Sequence, residues 1–146
     1  MNPAPNAYER DYFGWTQEQT ALLRAGRLDA LDTEHLIEEI ESMGNSERRE
    51  FETRLEVLLL HLLKWRHQPA RRSQSWRLTI AEQRRRIERR LQHSPSLKAI
   101  ADEALTEAYE VAILAAARET GLDETAFPAQ CPWTLEQSMT QDYLPE

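Results

Sequence analysis

The stretch from Phe51 to Trp65 constrains this chain more than any other. At about 100° per residue, Phe51, Leu55, Leu58, Leu62 and Trp65 share one helical face, while Val57, Leu60 and Leu63 point elsewhere. A helix apolar nearly all round must be covered on several sides, either at the centre of its own domain or by another subunit. The pattern predicts a helix capped by Ser46 and ended before Pro69. Only four of 146 residues are glycine and 40% are hydrophobic, which fits a helical globular protein and excludes a disordered or β-rich one.

The rest of the chain reads as further helices. Thr16-Gln17-Glu18-Gln19 has the form of a capping box, and Gly26 can supply the left-handed residue that ends the helix it opens. A second helix is expected from Asp32 or Thr33, with Leu36, Ile37, Ile40 and Met43 as its stripe and Gly44-Asn45 as its break. Ser73 or Ser75 caps a helix on which Trp76, Ile80, Ile87 and Leu91 lie within about 60° of one another. Ser94-Pro95 opens the last long helix, whose alanines (101, 104, 108, 112, 115) imply close approach to a neighbour before Gly121 ends it. Thr134-Leu135-Glu136-Gln137 repeats the capping-box pattern, again just after a tryptophan. The expected fold is all-α: one domain, 1–146, built as an antiparallel four-helix bundle of helices 32–43, 46–67, 74–92 and 95–120. Short amino- and carboxy-terminal capped helices pack across it, and the arm 1–10 is expected to be disordered.

Charge is distributed in three blocks. Residues 1–63 carry 6 basic and 13 acidic side chains, residues 64–90 carry 10 and 2, and residues 91–146 carry 2 and 10, within a net charge of −7. Sixteen of the eighteen basic residues are arginine, the side chain suited to bidentate pairing with carboxylates or phosphates. Either the acidic flanks neutralise the basic middle or the middle faces an anionic partner. A pI near 5.2 weighs against nucleic acid.

Catalytic and metal-binding patterns are missing. His35, His61, His67 and His93 include no pair at helical ligand spacing, and there is neither His-Glu-x-x-His nor a cysteine pair. His61 reads as a core histidine bonded to one polar group. Cys131 reads as a small buried hydrophobe beneath the tail. No glycine-rich phosphate loop exists, and Glu38-Glu39 and Asp102-Glu103 fall on polar faces. One cysteine points to a reducing compartment, and no apolar run approaches the ~20 residues of a membrane span. No signal peptide is expected at the start of the chain.

The segments YERDYFGWTQEQTALLRAGRLDALDTEHLIEEIESMG, LLLHLLKWRHQPARRSQSWRLTIAEQRRRIERRL, SPSLKAIADEALTEAYEVA and FPAQCPWTLEQ together resemble the bacterial domain of unknown function 29 (DUF 29) family. The resemblance covers nearly the whole chain. It implies a small, stand-alone, all-helical protein and brings no catalytic residue, substrate or cofactor.

The expected function is that of a bacterial cytoplasmic protein–protein interaction or self-associating module without cofactor. The alternatives are nucleic-acid binding through the arginine-rich helix 71–90, and an enzyme of unrecognised type. The candidate interaction surface is His67, Gln68, Arg71, Arg72 and Arg77, with Arg84, Arg85 and Arg86 beyond it. A protein partner or a second copy is expected there, with no membrane association.

Overall fold

A computed structural model describes residues 7–146. The chain is 80% helical, with six α-helices and no strand among the described residues. They are α1 (Ala7–Arg10), α2 (Tyr12–Arg24), α3 (Thr33–His67), α4 (Gln74–His93), α5 (Ala101–Thr120) and α6 (Leu135–Met139). Of the arm expected to be disordered, residues 7–10 form α1, and the remainder lies outside the described residues. The described residues divide into two compact units at Ser46.

The helices expected at 32–43 and 46–67 are one helix. Neither Gly44 nor Asn45 takes a positive φ, so neither breaks α3, and no proline interrupts it. A lone helical glycine costs about 1 kcal/mol. Each fully buried Phe or Leu between Phe51 and Leu63 returns roughly 1.5–3 kcal/mol, so the helix carries the defect. The long helices therefore number three, α3, α4 and α5.

In the amino-terminal unit, α2 starts one turn earlier than its capping-box pattern implies. Asp11 is the cap, accepting from the Gly14 amide at 3.0 Å, and the Thr16 hydroxyl donates to the Phe13 carbonyl inside the helix. A Cβ at position 14 would collide with the Asp11 carboxylate, which is why glycine stands there. The earlier start places Trp15 within the helix, where it is buried with Tyr8 packed edge-on against it. Gly26, at φ +70°, closes α2 as anticipated, its amide bonding Leu23 and that of Arg27 bonding Leu22.

In the carboxy-terminal unit, Phe51, Leu55, Leu58, Leu59, Leu62 and Leu63 of α3 are fully buried. They pack with Ile80 and Ile87 of α4 and the small face Ala101, Ala104, Ala108 and Ala112 of α5. Trp65 and Trp76, expected in the core, are only half-buried; Trp76 lies beneath Lys64 Nζ, 4.6 Å from the ring centre. Ser73 caps α4, accepting from the Trp76 amide at 3.2 Å. Pro95 opens a 3-10 helix, Pro95–Ile100, ahead of α5, and the Ser94 hydroxyl donates to Glu47 instead of capping it. Gly121, at φ +76°, ends α5. Thr134 and Gln137 form the full capping box of α6, at 3.1 and 2.9 Å.

Candidate functional site

The eight residues expected to form one surface have different fates. His67 is half-buried edge-on to Phe127 at 4.9 Å, with its Nε2 buried and unpaired. Burial, then Arg66, lowers its pKa, so the imidazole is held neutral. Gln68 reaches the Thr120 carbonyl at 3.4 Å. Arg72 donates to the Trp65 carbonyl at 2.8 Å and to the Pro145 carbonyl at 3.4 Å while lying over the Trp65 ring. Arg77 pairs with Gln74 and Arg86 with Glu82 along α4, both at 3.1 Å. Arg71 and Arg85 are exposed.

Arg84 is buried, at 7% exposure, rather than part of the outer surface. Its Nε donates to the Ser138 carbonyl at 2.8 Å and its Nη2 to the Tyr143 carbonyl at 2.7 Å, tying the end of the chain to α4. Burial lowers its pKa and the nearby Asp142 opposes this. The signal was present: Arg84 lies about 40° from Ile80 and about 20° from Leu91 on the helical wheel, at the edge of the apolar stripe. The two carbonyls that hold it carry no sequence signature.

Between α4 and residues 135–144 lies a groove of about 830 Å³. Its apolar lining comes from Leu78, Ala81 and Leu91 on α4 and from Leu135, Met139 and Leu144 opposite. Arg77, Arg84 and Arg85 enter it from α4, while Glu88, Glu136 and Asp142 balance their charge. Three of the eight expected residues thus meet here. A shallower hollow of about 330 Å³ at the end of α4 is lined by Arg86, Arg89, Arg90 and His93 with Glu50. Arg90 is already paired with Glu47 at 3.1 Å, and Arg54 holds Glu50 at 2.8 Å.

The basic middle of the chain is partly matched by the acidic flanks. Lys64 meets Glu119 at 3.3 Å and Arg90 meets Glu47 at 3.1 Å, while Arg48, itself in the acidic first block, lies within 4 Å of Glu52, Glu103 and Glu107. His61 donates from Nδ1 to the Val57 carbonyl at 2.8 Å, the single polar bond expected, and burial lowers its pKa, but the side chain is half-buried rather than in the core. Cys131 is half-buried with Sγ 3.2 Å from the Trp133 carbonyl, and burial pushes its thiol pKa up, the opposite of an activated nucleophile. Among the described residues no group of three or more His, Cys, Asp or Glu side chains is placed to hold a metal. No helix is long and apolar enough to cross a membrane.

The amino-terminal unit offers a second feature. Asp32 stands before α3 and gathers three donors: Trp15 Nε1 at 2.9 Å, His35 Nδ1 at 2.7 Å and the His35 amide at 3.4 Å. Burial opposes its charge, but the bonds from His35 and Trp15 outweigh this and hold the carboxyl below its usual range. The same contact raises the His35 pKa against burial. Tyr8 stacks on His35 at 4.1 Å and donates to Glu39, which pushes the phenol up to about 12. Tyr12 donates to the other Glu39 oxygen at 2.6 Å. This network fixes one side of α3 and leaves another bare: Ile37, Ile40 and Met43 are 56%, 61% and 62% exposed.

The bare residues form a short seam in the amino-terminal unit: Ile37, Ile40 and Gly44 follow one another at three- and four-residue steps along one face of α3. Ile37 and Ile40 are open there. Glu34, Glu38 and Glu41 stand beside the open part, all exposed.

The model of the family described as domain of unknown function DUF29 matches residues 7–144. No curated protein and no solved structure matches the chain.

Proposed function

The chain belongs to the DUF29 family, and from that premise we propose that it is a protein–protein interaction module whose α3 seam receives a helix of another protein. The open seam at Ile37 and Ile40 is the observation that carries this reading, because single exposed apolar residues are common on protein surfaces whereas Ile37, Ile40 and Met43 stand together on one side of a helix, a helix-docking pattern. The glutamates beside it favour a partner helix with basic flanks. A second copy would oppose glutamate to glutamate if it docked through the same seam, so a different polypeptide fits better. In this reading α3, α4 and α5 are antiparallel neighbours, an arrangement that their short connections favour. The carbonyl partners of Arg72 and Arg84 support an interaction role over nucleic-acid binding, since they withdraw two cations from the presumed phosphate-facing surface.

Two synthetic amphipathic helices test the proposal, with the same leucine heptads but lysine or glutamate flanks, titrated into the protein by fluorescence anisotropy. The lysine-flanked peptide binds and the glutamate-flanked one does not, and Ile37→Asp with Ile40→Asp removes the binding. Equal binding of both peptides, or full binding by the double variant, refutes it.

A further inference from the structure

The groove between α4 and residues 135–144 has a property that the seam on α3 lacks: a buried cation held by neutral carbonyls, with no carboxylate in contact with it among the described residues. Arg84 is more than nine-tenths buried, and its two bonds go to neutral carbonyls. No carboxylate lies within ion-pair distance of it among the described residues, and its bonds there leave from Nε and Nη2. A buried charge is costly unless it is paired, and this one lines an open groove. Arg77, bonded to Gln74, and the exposed Arg85 stand beside it, and among the described residues neither is ion-paired to a carboxylate. The apolar part of the lining is aliphatic or thioether, including Leu78, Ala81, Leu135 and Met139.

We propose that this groove binds a small amphiphilic carboxylate, its head group at Arg84 with Arg77 and Arg85, and its aliphatic chain over Leu78, Leu135 and Met139. The volume of about 830 Å³ lies within the ordinary range of small-molecule sites. Glu88, Glu136 and Asp142 share the groove and leave its formal charge balanced. That balance favours one negative charge on an apolar stem and disfavours a polyanion such as nucleic acid, whose further phosphates would meet these carboxylates. There is no strand edge among the described residues for an extended peptide to join, so a small molecule is the better occupant.

The test is calorimetric titration of the full chain with dodecanoate, dodecanol and dodecyltrimethylammonium below their micellar concentrations, with the methyl resonances of Leu78 and Met139 followed in parallel. Dodecanoate binds one to one and more tightly than either other probe. Arg77→Gln with Arg85→Gln weakens it at least about fivefold, as expected for the loss of two exposed charge contacts. Ala81→Trp, which fills the groove, abolishes binding while the helical circular dichroism is retained. Three results overturn the proposal: no binding of dodecanoate by the folded protein, equal affinity for dodecanol, or unchanged binding by Ala81→Trp. Should Ala81→Trp fail to fold, the resonances decide, and shifts that spare Leu78 and Met139 overturn it. Tighter competition by a glutamate-rich amphipathic peptide overturns the small-molecule occupant.

Discussion

Arg84→Met removes the one side chain that joins α4 to both ends of the segment 138–143. The wild-type guanidinium makes two charge-assisted bonds at 2.8 and 2.7 Å, and such bonds are each worth about 1.5–3 kcal/mol. Against their loss stands the desolvation cost that a buried arginine carries and methionine does not. The stranded acceptors are unequal. Ser138 is buried, so its carbonyl keeps a penalty of about 1–3 kcal/mol, while Tyr143 is half-buried and water can reach it. The net loss is about 2–4 kcal/mol, a fall in melting temperature of roughly 5–12 °C for a chain of this size. Loss of the clamp also frees the Tyr143 hydroxyl from its 3.1 Å bond to Trp133 Nε1, so the loosening is local before it is global. Thermal melting by circular dichroism gives the first number, and amide exchange over residues 135–144 gives the second. Arg85→Met, on the exposed side of the same turn, is the control and shifts stability by no more than about 0.5 kcal/mol. Equal effects of the two variants, or unchanged protection at 135–144 in Arg84→Met, would refute the clamp.

Further outcomes follow from the same geometry. Gly44→Ala stabilises by about 0.4–1 kcal/mol, since the residue is helical and a Cβ there meets nothing; Gly26→Ala destabilises because its φ is +70°, and urea midpoints separate the two. The His35 contribution is fully present below its ordinary 6.5 and drains as pH rises through its raised folded value; that of Asp32 is present above 3.8 and drains as pH falls through its lowered one. Both are complete between 3.8 and 6.5, so NMR titration places His35 above 6.5, and Asp32→Asn returns it toward that value. Cys131 reacts with a disulfide reagent at pH 8 far more slowly in the native protein than in urea, because burial holds its thiol up.

The helices were legible wherever burial and local chemistry agreed. The Ser73 cap, Gly26, Gly121 and the Thr134–Gln137 box all act as their residue types imply. The misreadings arose where a weak local signal met a strong tertiary one. Gly44-Asn45 looks like a helix end, but nothing forces a left-handed residue there, and α3 runs through it. Thr16 has the form of a cap, but Asp11 starts the helix early enough to bury Trp15. Arg84 was grouped with its exposed neighbours because charge outweighed its position on the wheel. The Asp32–His35–Tyr8–Glu39 network joins residues up to 31 positions apart, which spacing alone does not reveal.

The most direct measurement for the interaction role is photocrosslinking from the seam itself, with a benzophenone side chain in place of Ile40 and, as control, in place of Leu114 on α5, which is also exposed. In lysate of the protein's own organism, the reading given above predicts a discrete adduct from position 40 whose partner carries a basic amphipathic helix, lost when Ile37 is changed to Asp. Adducts of equal yield and pattern from positions 40 and 114 would contradict it.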